Sequence, residues 1–452
     1  MQFYLLVLAV VIASVGNSVG LCPKQCKCYM DSVSCRGVGL EKFPHWLPKS
    51  TKSLYIAHNN ITSLKKSDVT GFQRLEHLHL QENLLRTIDR EVLCEMPRLS
   101  RLELSSNLLE TLAPRTFSCL KRLTILSLQN NRLSRLHPEV FQGLPGLKAL
   151  LLGSNGLRRI DERLFTDLGS LIYLQLRNNN LISITSRVFR SLKRLNNLDL
   201  SQNNMTSIDA NAFFGLVSLR ELILHENHLE IVSGFLYHLV DLRKLDLGFN
   251  RIRMVSRNIF SNIRKLKTLY LNDNRLKSLY EEMFEGLGNL VELDIYANLI
   301  SSIEHNAFSP LKRLSRLTAW GNQLTTLDSC ILSGLSSLCD LNLSKNRLKT
   351  IKNYTFQGFT KLRHLDVSSN QLTAIHMDTF SGLENLEDLY LSKNHLNFIH
   401  ESSFEDLSNY LNLDFHSNRM ECTCKYISML SGWVHFEIFI YLVGKKIGRS
   451  KK

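Results

Sequence analysis

Two histidines raise the question of chemistry first. HLHLQE (residues 77–82) sets His77 and His79 two positions apart, which in an extended segment puts both rings on one face. Two imidazoles so placed could take a divalent metal. An exposed polar strand face is the plainer account, and it is the one adopted. The chain holds 15 His, with many Asp and Ser besides, yet none falls into a nucleophile–base or metal-ligand spacing. The residue types point to binding, with no metal and no cofactor, rather than to catalysis.

What positions those histidines is a repeat. LSLQNNRLSRL (residues 126–136) has the skeleton Leu126, Leu128, Asn131, Leu133 and Leu136, and LQLRNNNLISI (residues 174–184) carries Asn179 in the same frame. The matching asparagines run from Asn59 through Asn83, Asn107, Asn131, Asn155, Asn179, Asn203, Asn227, Asn250, Asn274, Asn298, Asn322, Asn346, Asn370 and Asn394 to Asn418. Their spacing is 24 residues everywhere except 23 between Asn227 and Asn250. A fixed period between about 20 and 50 residues marks a solenoid or a propeller. The LxL step alternates with period two, so it predicts a short strand with both Leu on one face. Where the chain turns away from that strand, enclosed backbone N–H and C=O groups need partners. An Asn side chain supplies two donors and an acceptor, so stacked asparagines predict a structural ladder, and none is assigned a catalytic role.

The skeleton LxxLxLxxNxL resembles that of extracellular leucine-rich repeat proteins, over roughly residues 22–434. The resemblance implies an α/β solenoid: curved, with a parallel inner sheet and a mostly irregular outer side. About 15–16 repeats would fill residues 53–420, and strands about 4.8 Å apart would give an inner face roughly 70 Å long. Ten residues after the Asn, Phe117, Phe141, Phe165, Phe189, Phe213, Phe260, Phe284, Phe308, Phe356, Phe380 and Phe404 predict a packed outer spine. Two repeats depart from the pattern. The short interval lacks a residue between Val232 and Leu236, and the Asn322 repeat carries Ala319 and Leu332 where Leu and Phe are usual.

Cys22, Cys26, Cys28 and Cys35 precede FPHWLPKSTKSLYI (residues 43–56), the layout of this family's cysteine-rich N-terminal cap, here residues 21–52. Four cysteines allow three connectivities; the resemblance implies Cys22–Cys28 and Cys26–Cys35. Such a cap covers apolar residues and a strand edge that an open solenoid end exposes. Cys94 and Cys119 lie one frame apart in adjacent repeats, and Cys330 and Cys339 share a repeat; each pair is either a bridge or two buried thiols. RMECTCKYISMLSGWV (residues 419–434) resembles the start of the C-terminal cap through Asn418, Cys422, Cys424 and Trp433. No cysteine follows to complete it, so residues 421–434 are expected to be a truncated cap and 435–452 a divergent tail, as in a chain interrupted inside a domain; the alternative is a degenerate cap with FEIFIYLV (residues 436–443) as an apolar lid. A dimer through Cys422 or Cys424 would follow from their lack of partners. In relatives of this layout the cap often precedes further domains or a membrane anchor, while secreted matrix proteins end near it.

Residues 1–20 predict a signal peptide, with the apolar core LLVLAVVIA (residues 5–13) and small Ser18 and Gly20 before a cut at Leu21. No other run approaches the ~20 apolar residues of a membrane span. The expected product is secreted, in the extracellular space or matrix. Sequons at Asn60, Asn204 and Asn353 are glycosylation candidates; a fourth, at Asn342, falls mid-strand and is not expected to be modified.

Two surfaces could bind. Outward strand positions lie six, four, two and one residues before each Asn, and together hold thirteen acids against six Lys or Arg, a net of −7. The whole chain is +14, so the rest sums to +21. Many positives sit 14 and 15 residues after the Asn: Arg74, Arg98, Lys121, Arg122, Lys193, Arg194, Arg264, Lys265, Lys312, Arg313 and Lys361, opposed only by Asp241 and Glu384. Stacked, they predict a basic flank suited to an anionic polymer such as a heparan-type glycosaminoglycan, or simply a solvated edge. On the inner face, Tyr296 and Trp320 share a column in adjacent repeats, with Phe249 and Tyr270 nearby and Asp246, Glu292, Asp294 and Arg316 around them. Aromatics and Arg anchor protein interfaces. The favoured expectation is an extracellular protein ligand held there; the runner-up is a matrix structural protein anchored by the flank.

Overall fold

A computed structural model describes residues 22–407 and 411–420. The expected signal peptide, the truncated cap with Cys422 and Cys424, and the divergent tail lie outside the described residues. The chain folds as a parallel-sheet solenoid of about sixteen turns with little helix. It divides into two compact units, residues 1–204 with 211–217, and residues 205–210 with 218–452.

In the first unit, Lys27–Tyr29 and Ser32–Ser34 form an antiparallel hairpin, and Ser32–Ser34 pairs in parallel with Ser53–Tyr55. The hairpin thus occupies the strand edge that the first repeat would otherwise expose. From there the register runs Leu54, Leu78, Leu102, Leu126, Leu150, Leu174 and Leu198, each opposite the next. All seven Leu are wholly buried, and the strand residues on either side reach the surface at most positions. That is the period-two alternation of a sheet with one face packed.

The second unit repeats the arrangement through Leu222, Leu245, Leu269, Leu293, Leu317, Leu341, Leu365, Leu389 and Leu413. Leu222 stays opposite Leu245 although the repeat between them is one residue short. The missing residue is absorbed on the outer side, where Phe235 and Leu236 are both buried. Four pairs of two-residue parallel strands also form there, among them Ile231–Val232 with Met254–Val255 and Ala374–Ile375 with Phe398–Ile399.

The asparagine ladder is continuous within each unit. Asn131 Oδ1 accepts from Leu109 N (3.0 Å), while its Nδ2 donates to Leu104 O and Leu128 O, both at 3.0 Å. Each Asn therefore closes the repeat before it and ties that repeat to its own. The residue just before the Asn adopts positive φ, as Asn130 (53°), Asn178 (54°), Phe249 (52°) and Lys345 (51°) do. Left-handed backbone costs a non-glycine residue roughly 1–2 kcal/mol, and the ladder bonds are what hold it. The outer spine is also as predicted: all eleven Phe are buried, and successive rings stack at 5.9 Å for Phe165–Phe189 and 6.0 Å for Phe189–Phe213.

Candidate functional site

The second unit's strand face brings Tyr296 and Trp320 together. Their centroids lie 4.7 Å apart at an interplanar angle of 6°, a close offset stack. Lys345, one repeat further, sets its ammonium 4.9 Å from the centre of the Trp320 ring, a cation–π contact. Asn272, one repeat earlier, donates from Nδ2 to the Tyr296 hydroxyl at 3.0 Å. Neither Lys345 nor Asn272 was among the expected residues. The signal was there: both occupy outward positions of the frame that places the aromatics.

Of the other expected members, Asp246, Tyr270 and Asp294 stand opposite one another on adjacent strands, while Phe249 turns to a different neighbour. Phe249 packs edge-on against His225 (5.0 Å, 72°), and no ring contact joins it to Tyr270 or Tyr296. Tyr270 reaches Glu292 Oε2 only at 3.5 Å and has the Lys244 ammonium 5.6 Å from its ring centre. Burial, with Glu292, Asp294 and Asp246 adding negative potential, pushes the Tyr270 phenol up to about 12. Burial also raises the Asp294 carboxyl above its ordinary value, partly countered by a hydrogen bond with Thr318. Asp246 Oδ1 accepts from Gly248 N at 3.0 Å, which closes the strand end.

Arg316 belongs to a ladder in which acidic side chains alternate with Arg and His. It meets Glu292 at 2.9 Å and Asp340 at 3.8 Å; His364 lies 3.7 Å from Asp340 and 2.6 Å from Asp388; Asn412 donates to Asp388 at 2.8 Å. These residues occupy one column on successive strands. The Glu292 carboxylate raises the Arg316 pKa further.

The inner-face charge is unevenly shared. The first unit has the acids Glu82, Glu103 and Asp199 against Arg101 and Arg177 at these positions. The second has ten acids against Lys244, Arg316, Lys345 and Lys393. Most of the acidity thus lies in the unit that carries the aromatic stack.

All eleven residues of the basic flank are exposed. Six belong to the first unit and five to the second. Among the described residues only Lys265 pairs with a carboxylate, meeting Asp241 at 2.6 Å. Arg313 donates to Asn289 Oδ1, Arg264 to Ser261 O and Lys121 to Gly143 O.

His77 and His79 part company. His77 Nδ1 lies 2.9 Å from Ser53 Oγ, whereas His79 stacks on Tyr55 at 4.5 Å. Burial, then Arg101 and His77, pushes His79 down to about 4. The Ser53–His77 contact places a hydroxyl beside an imidazole. It stands on a half-buried strand face, and no carboxylate bonds to His77 among the described residues, so the third group that orients the base of an activated hydroxyl is not seen there. Among the described residues no group of three or more His, Cys, Asp and Glu could hold a metal.

Cys22–Cys28 and Cys26–Cys35 are disulfides. Cys94–Cys119 is a third, between adjacent repeats. Cys330 and Cys339 are free thiols, the first exposed and the second half-buried. Asn60, Asn204 and Asn353 all have exposed side chains. Asn342 Oδ1 instead accepts from Ser344 N and Oγ at 3.0 and 2.7 Å.

With these features in place, comparison fixes the class. The leucine rich repeat family matches residues 49–229 and 240–420 in eight overlapping segments. The chain belongs to the leucine-rich repeat family. A leucine-rich repeat protein from Leptospira interrogans is similar in structure, with a TM-score of 0.70 and 29% identity over 84% of this chain and 95% of that one. A chain of the Toll–Spatzle complex from Drosophila gives a TM-score of 0.75 and 25% identity over 83% of this chain and 51% of its own. In sequence, decorin from Bos taurus is 41% identical over 59 residues, 13% of this chain and 16% of decorin. The chain spans between 6% and 16% of the length of the curated relatives it matches. Among the described residues no helix is long and apolar enough to cross a membrane.

Proposed function

We propose that this chain is a non-enzymatic, secreted or ectodomain-like recognition protein that holds a protein ligand on the strand face of its second unit. It would act either as the ectodomain or as a shortened form of a leucine-rich repeat receptor. The supporting observation is the stacked Tyr296–Trp320 pair, with Lys345 over the indole and Asp294 near the phenol, and with the Arg316–Glu292 pair on the strands that lead into the two rings. Trp, Tyr and Arg carry most of the energy in protein interfaces. These rings are already ordered by Asn272 and Lys345, so little side-chain freedom is left to lose on binding. The similar Toll chain was solved in complex with Spatzle, a precedent for a protein partner on this fold. The test is affinity capture from medium conditioned by cells that make the protein. Trp320→Ala should weaken capture by about 30-fold, the effect of losing roughly 2 kcal/mol at a hot spot, with secretion unchanged. Equal capture by the variant rejects the site.

A second reading rests on the flank, where ten of eleven basic side chains have no carboxylate partner among the described residues. It makes the chain a matrix-associated protein tethered to sulfated polysaccharide. Replacing Arg74, Arg98, Arg122, Arg194 and Arg313 by Gln should abolish retention on heparin at physiological salt while leaving Trp320-dependent capture intact. Unaltered retention eliminates this reading.

A further inference from the structure

A groove of about 1140 Å³ lies beside the N-terminal cap, lined by Phe43, His45, Trp46, Asn60, Thr62 and Leu84 with their neighbours. Two of its apolar residues are unusually open for their type. Trp46 is 47% exposed although Phe43 and Leu47 beside it are buried, and Leu84 is 40% exposed. Isolated apolar side chains at a surface need no explanation, but an indole and a leucine lining one groove form a patch. The same groove is lined by both polar residues of the sequon Asn60-Ile61-Thr62. Asn60 is exposed, and its side chain makes no hydrogen bond among the described residues. Its backbone is fixed, with Asn60 N donating to Leu40 O at 2.8 Å. Leu84 follows one repeat later in the same frame, and Leu84 N donates to Ile61 O at 3.0 Å. The attachment point and the apolar patch are therefore held at the wall of one groove by backbone bonds.

We infer that an N-linked glycan on Asn60 lies along this groove and covers Trp46 and Leu84. The chemistry is complementary. A pyranose ring presents a face of C–H bonds that stacks on an indole, while its hydroxyls meet the polar rim of Glu41, Lys42, Ser63 and Lys65. The volume exceeds that of most small-molecule pockets, which span about 300–1,000 Å³, so several sugar residues fit. The other exposed sequons differ: neither Asn204 nor Asn353 lines this groove. The inference requires that the chain enter the secretory pathway.

Hydroxyl-radical footprinting of the secreted full chain tests it. Trp46 oxidation is compared between the glycosylated protein and the Thr62→Ala variant, which keeps Asn60 but destroys the sequon. Trp320 in the same molecule serves as the internal reference. The expected result is a glycan-bearing Asn60 peptide in the parent and at least threefold faster Trp46 oxidation in the variant, with Trp320 unchanged. If Thr62→Ala is not secreted, enzymatic removal of the glycan from the folded parent supplies the same comparison. An unmodified Asn60 in the parent, or equal Trp46 oxidation with and without the glycan, overturns the inference. Protection that survives glycan loss but disappears on dilution assigns the groove to a second copy of the chain and also overturns it.

Discussion

At the scale of single residues, the ladder asparagines matter most for stability. Asn179 Oδ1 accepts from Leu157 N at 3.1 Å, and its Nδ2 donates to Leu152 O and Leu176 O at 3.1 and 3.0 Å. Asn179→Leu keeps the heavy-atom shape but strands Leu157 N, and it takes one of two bonds from Leu152 O and Leu176 O, which keep those from Asn155 and Asn203; an unmade buried bond costs about 1–3 kcal/mol. It should lower the urea midpoint by the equivalent of at least about 2 kcal/mol, whereas Asn180→Ala next door, on an exposed side chain, should stay within about 0.5 kcal/mol. His79 gives a residue-scale pH effect. Its folded pKa, about 4, lies below the unfolded value, so between the two the unfolded chain binds more protons. Stability from this group is complete above about pH 6.5 and declines as pH falls toward 4. Thermal melts at pH 7 and pH 5 should differ less for His79→Gln than for the parent.

Residue roles were legible in the sequence to the extent that the repeat frame decides them. The frame placed every ladder Asn, every spine Phe and the Tyr296–Trp320 pair, because parallel strands in register make equal offsets into lateral neighbours. It did not give the rotamers. Phe249 turned to His225, and Lys345 turned onto Trp320. Side-chain direction within a column depends on packing against neighbours one repeat away, which no periodicity encodes. The ladder from Glu292 to Asp388 could have been found by reading one column downward for acids alternating with Arg and His.

At the scale of elements, each inner-face strand is only three residues long and each outer segment mostly irregular, so a repeat on its own buries little and relies on its neighbours. The Phe spine is where that reliance concentrates. Phe189 stacks on Phe165 and Phe213 at once, and Phe189→Ala should destabilise by about 3–5 kcal/mol, read as a shift in the unfolding midpoint. The Cys94–Cys119 bridge ties the end of the short helix Arg90–Cys94 to the next repeat. Sequence left this pair open, since adjacent frames bring thiols close without showing that they bond. Non-reducing peptide mapping should recover Cys94 linked to Cys119, and replacing both by Ser should cost about 2–4 kcal/mol.

At the scale of the whole molecule, charge is sorted by surface. The outward strand positions sum to −7 in a chain of +14, and ten of their thirteen acids lie in the second unit. The two proposed binding modes should therefore respond differently to salt. Raising ionic strength from about 0.1 M to 1 M shortens the screening length from about 10 Å to about 3 Å. Heparin retention through the exposed flank should collapse over that range, while capture through the stacked aromatics should change by less than about threefold. Parallel salt titrations of both interactions check this.

The direction of the ladder bonds has a consequence for how the chain comes to be folded. From Asn83 on, each Asn satisfies a backbone N–H made 22 residues earlier, or 21 for Asn250, as Asn179 does for Leu157 and Asn203 for Leu181. During synthesis a turn of the coil stays open until the next one has left the ribosome, then closes behind it. At about 5–20 residues per second, that delay is a few seconds and is the same for nearly every turn. Growth is therefore vectorial, with one unfinished edge travelling at the rear of the nascent chain rather than many waiting along its length.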